Sequence, residues 1–332
     1  MRRRTFIAAS LGTLAGAAAA TQARPQAHPQ APALLHTGAG RAFGTTVNVA
    51  VRHHDARAAQ AAIAAALAAL HGVDRLMGIH HPDSEVFRLN RDGVLARPDP
   101  RLVAVLGHAR ALSALTKGAF DITVQPLWQL FEAAGGAVPP LSARVLAGTR
   151  VGWPRVECDG ARVVFGKPGM AVTLNGLAQG YAADLALAAL RAHGIGHALV
   201  NSGEFGALGS RQAGRAWRLG VADPREDGAL ADTVALDGRC MATSGDYASS
   251  FTADFLHHHI FDPATSDSPV ELASVTVLAP TGIEADGLST AFMVMGARRA
   301  HALAAQLPGV DLMTINKRGV AWRSPGFAAA RA

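Results

Sequence analysis

Strand-like and helix-like stretches mix along this chain without a steady strand–helix–strand rhythm, and that order constrains its fold more than any other feature. A doubly wound parallel sheet needs regular alternation. A chain without it reads as α+β, with mixed or antiparallel sheets and helices packed on them. At 332 residues, the length suits a single large two-lobed domain. "AFGTTVNVAVRH" alternates as a half-buried strand does, and Ala56–Met77 is an Ala-rich stretch of high helix propensity. Residues 101–116 read as a second helix. After the break "AAGGAVPPL", the run "RVLAGTRVGWPRVECDGARVVFGKPG" reads as short strands with turns. A helix over 177–193 precedes the strand "HALVNSG". The segments "TVALDGRCMATSG" and "SVTVLAP" add strands, and the chain closes with helices after Ala285 and the hairpin "VDLMTINKRGVAWRS".

The first residues read as an address rather than as part of the fold. "RRRTFIAASLGTLAGAAAA" has a basic start, a short apolar run and small residues around Ala20 and Ala23. Arg3-Arg4-Thr5-Phe6-Ile7 fits the twin-arginine pattern, so residues 1–23 are expected to direct folded export to the periplasm. Residues 24–40 are Pro-, Gln- and Ala-rich and read as a disordered lead-in, which places the domain at 41–325. The net charge of +6 falls to about +3 once Arg2, Arg3 and Arg4 leave, an ordinary balance that gives no reason to expect a nucleic-acid partner. Cys158 and Cys240 lack any CxxC or framework spacing and read as two unrelated buried thiols rather than a bridge.

"EADGLSTAFMVMG" (284–296) is an apolar helix with a glycine stop at Gly296. Asp286 and Thr290 sit four residues apart, so they project from one face of that helix. Paired hard oxygens suit Mg²⁺ or Ca²⁺, whereas a helix cap and a back-bonded threonine would account for the same two residues without a metal. "LNGLAQGYAAD" puts Asn175-Gly176 at a helix start, where backbone N–H groups can hold phosphate or simply turn the chain. "VNSGEFGALGS" and "ATSGDY" are compact turns in which glycine permits close backbone approach. "HHHIFDP" sets His257, His258 and His259 in a row. Read as extended, at most His257 and His259 share a side, and zinc-type Cys/His spacing is missing.

Taken in order, "FGTT", "PDSEVFRLN", "KGAFDITVQPLW", "LNGLAQGYAAD", "ALVNSGEFGALG", "VADP", "ATSGDY", "HHHIFDP" and "ADGLST…MVMG" resemble the FAD:protein FMN transferase (ApbE) family, from Ala42 to Gly319. The resemblance implies cleavage of the FAD pyrophosphate and transfer of FMN to a Thr or Ser hydroxyl of a partner protein, with release of AMP and a requirement for Mg²⁺. The implied partner is an exported or membrane redox protein carrying a flavinylation motif. By the same resemblance, Asp286, Thr290 and the Gly176 carbonyl are metal ligands. Ala119, Phe120 and Asp121 line the flavin site, and Ile260 touches it. His259 orients or deprotonates the acceptor hydroxyl, work suited to the ordinary histidine pKa, while His257 and His258 are expected to be dispensable.

Four further cofactor positions depart from the family's usual residues. Phe43 stands where Met is common, His80 where Tyr is, Thr173 where Asp is and Gln179 where Lys is. Two other readings use the same residues: an FAD pyrophosphatase with water as acceptor, and a periplasmic flavin-binding protein without chemistry.

Overall fold

The structure, a computed structural model, describes residues 33–212 and 215–330; the leader read at 1–23 and the lead-in up to residue 32 lie outside them. The chain enters through β1 (Leu34–Ala42) and β2 (Thr45–His53), then α1 (Ala56–Met77) and α2 (Glu85–Asp92). β3 (Val94–Ala96), α3 (Pro100–Leu115), α4 (Gln125–Ala133) and α5 (Leu141–Gly148) follow, then β4 (Val156–Cys158) and β5 (Arg162–Phe165). α6 (Ala178–Ala192) leads to β6 (Ala198–Asn201), β7 (Phe205–Leu208), β8 (Trp217–Ala222), β9 (Leu230–Leu236) and β10 (Cys240–Gly245). β11 (Leu272–Ala279), α7 (Gly282–Ala304), β12 (Asp311–Asn316), β13 (Ala321–Arg323) and α8 (Pro325–Ala329) complete it.

The fold is α+β, as the sequence order implies. Eight strands form one sheet in the order β1-β2-β6-β7-β10-β11-β12-β13, and every pairing between them is antiparallel. Helices α1, α6 and α7 pack together on this sheet, and their apolar faces form the main core with Val47, Val49, Val275 and Val277. A smaller core lies between the β8–β9 ribbon and Met313, Ile315 and Phe327. A third joins Leu127 and Phe131 of α4 to Ala147 and Phe261. Among the cysteines, Cys240 is buried, Cys158 is half-buried, and both are free thiols.

Two expectations change. The lead-in does not reach residue 40, because β1 starts at Leu34 and pairs with β2 without a break, from Leu34↔His53 to Ala42↔Thr45. The domain therefore begins seven residues before position 41, and it runs past 325 into α8, whose Phe327 is fully buried. The reason is visible at Gly38 and Gly40. Each lies so close under Ile63 or His71 of α1 that a Cβ would collide, so glycines that read as loop are close-approach points beneath a helix. The other change is at 141–155, where a helix and a 3₁₀ turn (Trp153–Arg155) replace the first of the expected short strands.

Candidate functional site

The site is built where α6 meets α7. A Cβ on Gly180 would overlap the Gly282 carbonyl, and a Cβ on Gly282 would overlap that of Gly180. Two glycines thus let the helix backbones touch. Asp184, one turn further along α6, accepts the N–H groups of Gly282 (2.6 Å) and Ile283 (2.9 Å), two free donors at the start of α7. That contact fixes the register, and Gly180 N–H then reaches Asp286 Oδ2 at 2.9 Å.

Asp286 is 3 % exposed. Among the described residues its Oδ1 has no hydrogen-bond donor and no Lys or Arg pairs with it. Burial pushes its pKa up to about 7. Glu204 stands close enough to be raised in turn, by burial and then by the Asp286 charge, with its Oε2 held by Thr243 N–H at 3.0 Å. Gly176 closes the other side. A Cβ there would sit 2.8 Å from Thr290 Oγ1 and 3.4 Å from the Phe120 ring. Thr290 is half-buried, and its Oγ1 lies 3.2 Å from Ser244 Oγ, which is 2.8 Å from Ser289 Oγ.

The three residues expected as metal ligands therefore gather at one place. Among the described residues no three His, Cys, Asp or Glu side chains group as a metal centre. The donors here would be a single carboxylate, a hydroxyl and a backbone carbonyl, all hard oxygens. A buried, half-satisfied carboxylate with a second carboxylate beside it is stabilised by a cation, so the residues fit a divalent ion.

The flavin positions divide. Phe120 is 4 % exposed and borders Gly176. Ala119 is half-buried beside it. The Asp121 carboxylate is already occupied: Oδ1 accepts Thr123 N–H (2.8 Å) and Oγ–H (2.6 Å), and Oδ2 accepts Trp153 N–H (3.0 Å). It holds the 3₁₀ turn Ile122–Val124, and burial is the main influence on its raised pKa. Thr173 N–H donates to Ile122 O (2.8 Å), tying the glycine turn to that segment. Gln179 covers Gly203 and donates to Ser202 O (3.1 Å), next to Glu204. Phe43 has a positive φ of 54° in the β1–β2 turn and packs on the main core. His80 is exposed, its ring 6.0 Å from that of Trp128. These last two stand on elements apart from the α6–α7 crossing.

The loop 246–268 carries the expected His259 and Ile260. Asp246 is fully buried and takes both Arg225 (2.8 and 2.7 Å) and Lys317 (2.8 Å). Arg225 also lies over the Phe255 ring at 4.6 Å. His257 Nδ1 meets Asp267 at 2.7 Å, and Asp267 pairs with Arg144 of α5. His258 is fully buried against Pro269 O (3.2 Å), and burial lowers its pKa to about 4. Both rings are tied into this packing, His257 through Asp267 and His258 through Pro269 O. His259 Nδ1 lies 3.0 Å from Ser249 O, so that nitrogen carries the proton and Nε2 is left as an acceptor. Its pKa is not the ordinary one: desolvation lowers it, which keeps the ring neutral. Ile260 is 5 % exposed and belongs to the main core.

Asp184, Glu204, Ser244 and Ser289 were missed in the sequence. The segments around Glu204 and Ser244 stand out for their glycines, and the polar side chains between those glycines were the usable signal.

The sequence profile of the ApbE family matches residues 43–314. Proteins named FAD:protein FMN transferase from Klebsiella pneumoniae and Salmonella typhimurium are each 32 % identical over 309 residues, covering 87 % of this chain and 87 % of the relative. Among solved structures, the ApbE protein of Thermotoga maritima superposes with a TM-score of 0.81 at 28 % identity, covering 90 % of this chain and 100 % of that one. The flavinyl transferase ApbE of Pseudomonas stutzeri gives 0.79 at 30 % identity, covering 90 % and 97 %.

Proposed function

This chain belongs to the ApbE family, and from that premise we propose how it works as an FAD:protein FMN transferase. The finer reading is a Mg²⁺-dependent transfer of FMN from FAD to a Thr or Ser hydroxyl of an exported or membrane redox protein, with AMP released. The observation that carries it is the buried Asp286 carboxylate, half-satisfied and set beside Thr290 and Gly176. Asp286, Thr290 and the Gly176 carbonyl would hold the ion. A divalent cation held by these residues would supply positive charge to stabilise the pyrophosphate in phosphoryl transfer. Neutral His259 takes the acceptor's proton at Nε2 while the hydroxyl oxygen forms its bond to the FMN phosphorus. Phe120, Ala119 and Ile260 supply apolar surface for the isoalloxazine ring. The leader at 1–23 supports export by the twin-arginine route to the periplasm.

The test is a mass measurement. Enzyme, FAD and Mg²⁺ are incubated with a Thr-bearing acceptor domain, and the gain of one FMN is followed. Asp286→Ala should slow the transfer by about two orders of magnitude or more, the scale for losing a key electrostatic group. Wild-type rate and wild-type Mg²⁺ requirement in that variant would remove the metal assignment. FAD cleavage with no gain of mass on the acceptor would favour the pyrophosphatase.

A further inference from the structure

Three hydroxyls and one carbonyl form a chain at the α7–β10 contact. Thr290 Oγ1 lies 3.2 Å from Ser244 Oγ, Ser244 Oγ lies 2.8 Å from Ser289 Oγ, and Ser289 Oγ lies 2.9 Å from the backbone oxygen of Asp286. Distances alone leave the first two bonds without a direction. The far end supplies it. A backbone carbonyl only accepts, so Ser289 directs its single proton to Asp286 O. Ser289 must then accept from Ser244, whose only proton is engaged there, and Ser244 in turn accepts from Thr290. The same carbonyl also receives the Thr290 N–H through ordinary helix geometry. Its two lone pairs are filled, which closes the back-bond to residue i−4 that a helical threonine otherwise makes.

We propose that Ser244 and Ser289 are positioning residues that turn the Thr290 hydroxyl so that its lone pairs, and not its proton, are presented on the side of Gly176 and Asp286. This rests on the cation site described above. A hydroxyl is a cation ligand only through its oxygen lone pairs, and a proton turned the same way opposes binding. Ser289 is fully buried, and Ser244 is delivered by β10, where it pairs in register with Val275. The strand and the helix therefore set the hydroxyl before any ion arrives, as groups outside the ligand shell do for metal ligands generally.

The experiment reads Mn²⁺ binding to the purified protein by electron paramagnetic resonance, without FAD or turnover, with the metal-free melting temperature as a folding control. Ser244→Ala should weaken Mn²⁺ binding about ten-fold, the lower end of the range for such outer groups, with the metal-free melting temperature within a few degrees. Ser289→Ala, which removes no atom in contact with the Thr290 hydroxyl, should also weaken it, because Ser244 is then free to reverse and donate to Thr290. In a Thr290→Val background neither serine change should have a further effect. Mn²⁺ affinity within two-fold of wild type in both serine variants overturns the proposal, as does an equal loss in the presence and absence of the Thr290 hydroxyl. Asp286→Ala serves as the separate check. If it too leaves Mn²⁺ affinity unchanged, the cation site itself is wrong and this inference falls with it.

Discussion

The α6–α7 crossing and the loop 246–268 carry the residues expected at the site but are held in opposite ways. At the crossing, Gly180 and Gly282 bring two backbones into contact, and the Asp286 carboxylate has no cation partner among the described residues. In the loop, Asp246 has two cations, Asp267 has Arg144 and His257, and His258 is sealed in the core as a neutral ring. Asp246 and Asp267 of the loop are paired with cations, and Asp286 at the crossing has none among the described residues. An ion or a charged substrate gains most where a protein leaves charge unmatched, whereas paired carboxylates such as Asp246 serve as frame.

The largest effect should come from breaking the frame. Asp246→Ala leaves Arg225 and Lys317 facing each other without an anion and should cost about 3–5 kcal/mol, the range for removing one partner of a buried pair. Urea denaturation of the variant measures it, and a loss under 1 kcal/mol would mean that the loop is held by other contacts.

A comparable but pH-dependent loss is expected at His258. Above about pH 6.5 the ring is neutral in both folded and unfolded chains and contributes no pH dependence. As pH falls through 6.5, the unfolded chain takes up a proton that the buried ring, at about 4, does not. Stability therefore drops between about pH 6.5 and 4, by roughly 3 kcal/mol in all. Comparing the denaturation free energies of wild type and His258→Gln at pH 7 and 4.5 isolates this term. The variant should lack it, and parallel pH profiles would show that the ring titrates freely.

The crossing should respond more mildly in stability and more sharply in function. Gly180→Ala forces apart two backbones that the packing holds in contact, at a cost of about 1–3 kcal/mol as an overpacking change. It also moves the Asp286 acceptor from Gly180 N–H. Transfer activity should fall further than the change in melting temperature accounts for, and equal, small changes in both would make the glycine contact incidental.

The most legible elements were those whose signals are local. α1 starts at Ala56 because Asp55 caps it through the N–H groups of Arg57 and Ala58, and α3 starts at Pro100 behind the Asp99 cap. The stop read at Gly296 is real, with φ +74°, yet helix resumes beyond it because Glu271, from the loop before β11, accepts Ala297 N–H at 3.0 Å. Nothing next to Gly296 in the chain announces that distant cap. β1 was hidden in the same way, since its strand character lies in pairing with β2 and its glycines in contact with α1.

Ordered motifs along the chain were enough to identify the family, and the spacing of Asp286 and Thr290 was enough to put them on one helix face, since that follows from 3.6 residues per turn. Tertiary structure decided what those oxygens are free to do. Asp121, expected to line the flavin site, has its carboxylate engaged in capping a turn, whereas Ser244, in a segment read as a turn, bonds to Thr290, and Glu204 feels the Asp286 charge. The physical reason is that a polar side chain's role depends on which of its lone pairs and protons remain unmatched. That balance is struck between segments far apart in the chain, so it exists only once they have packed.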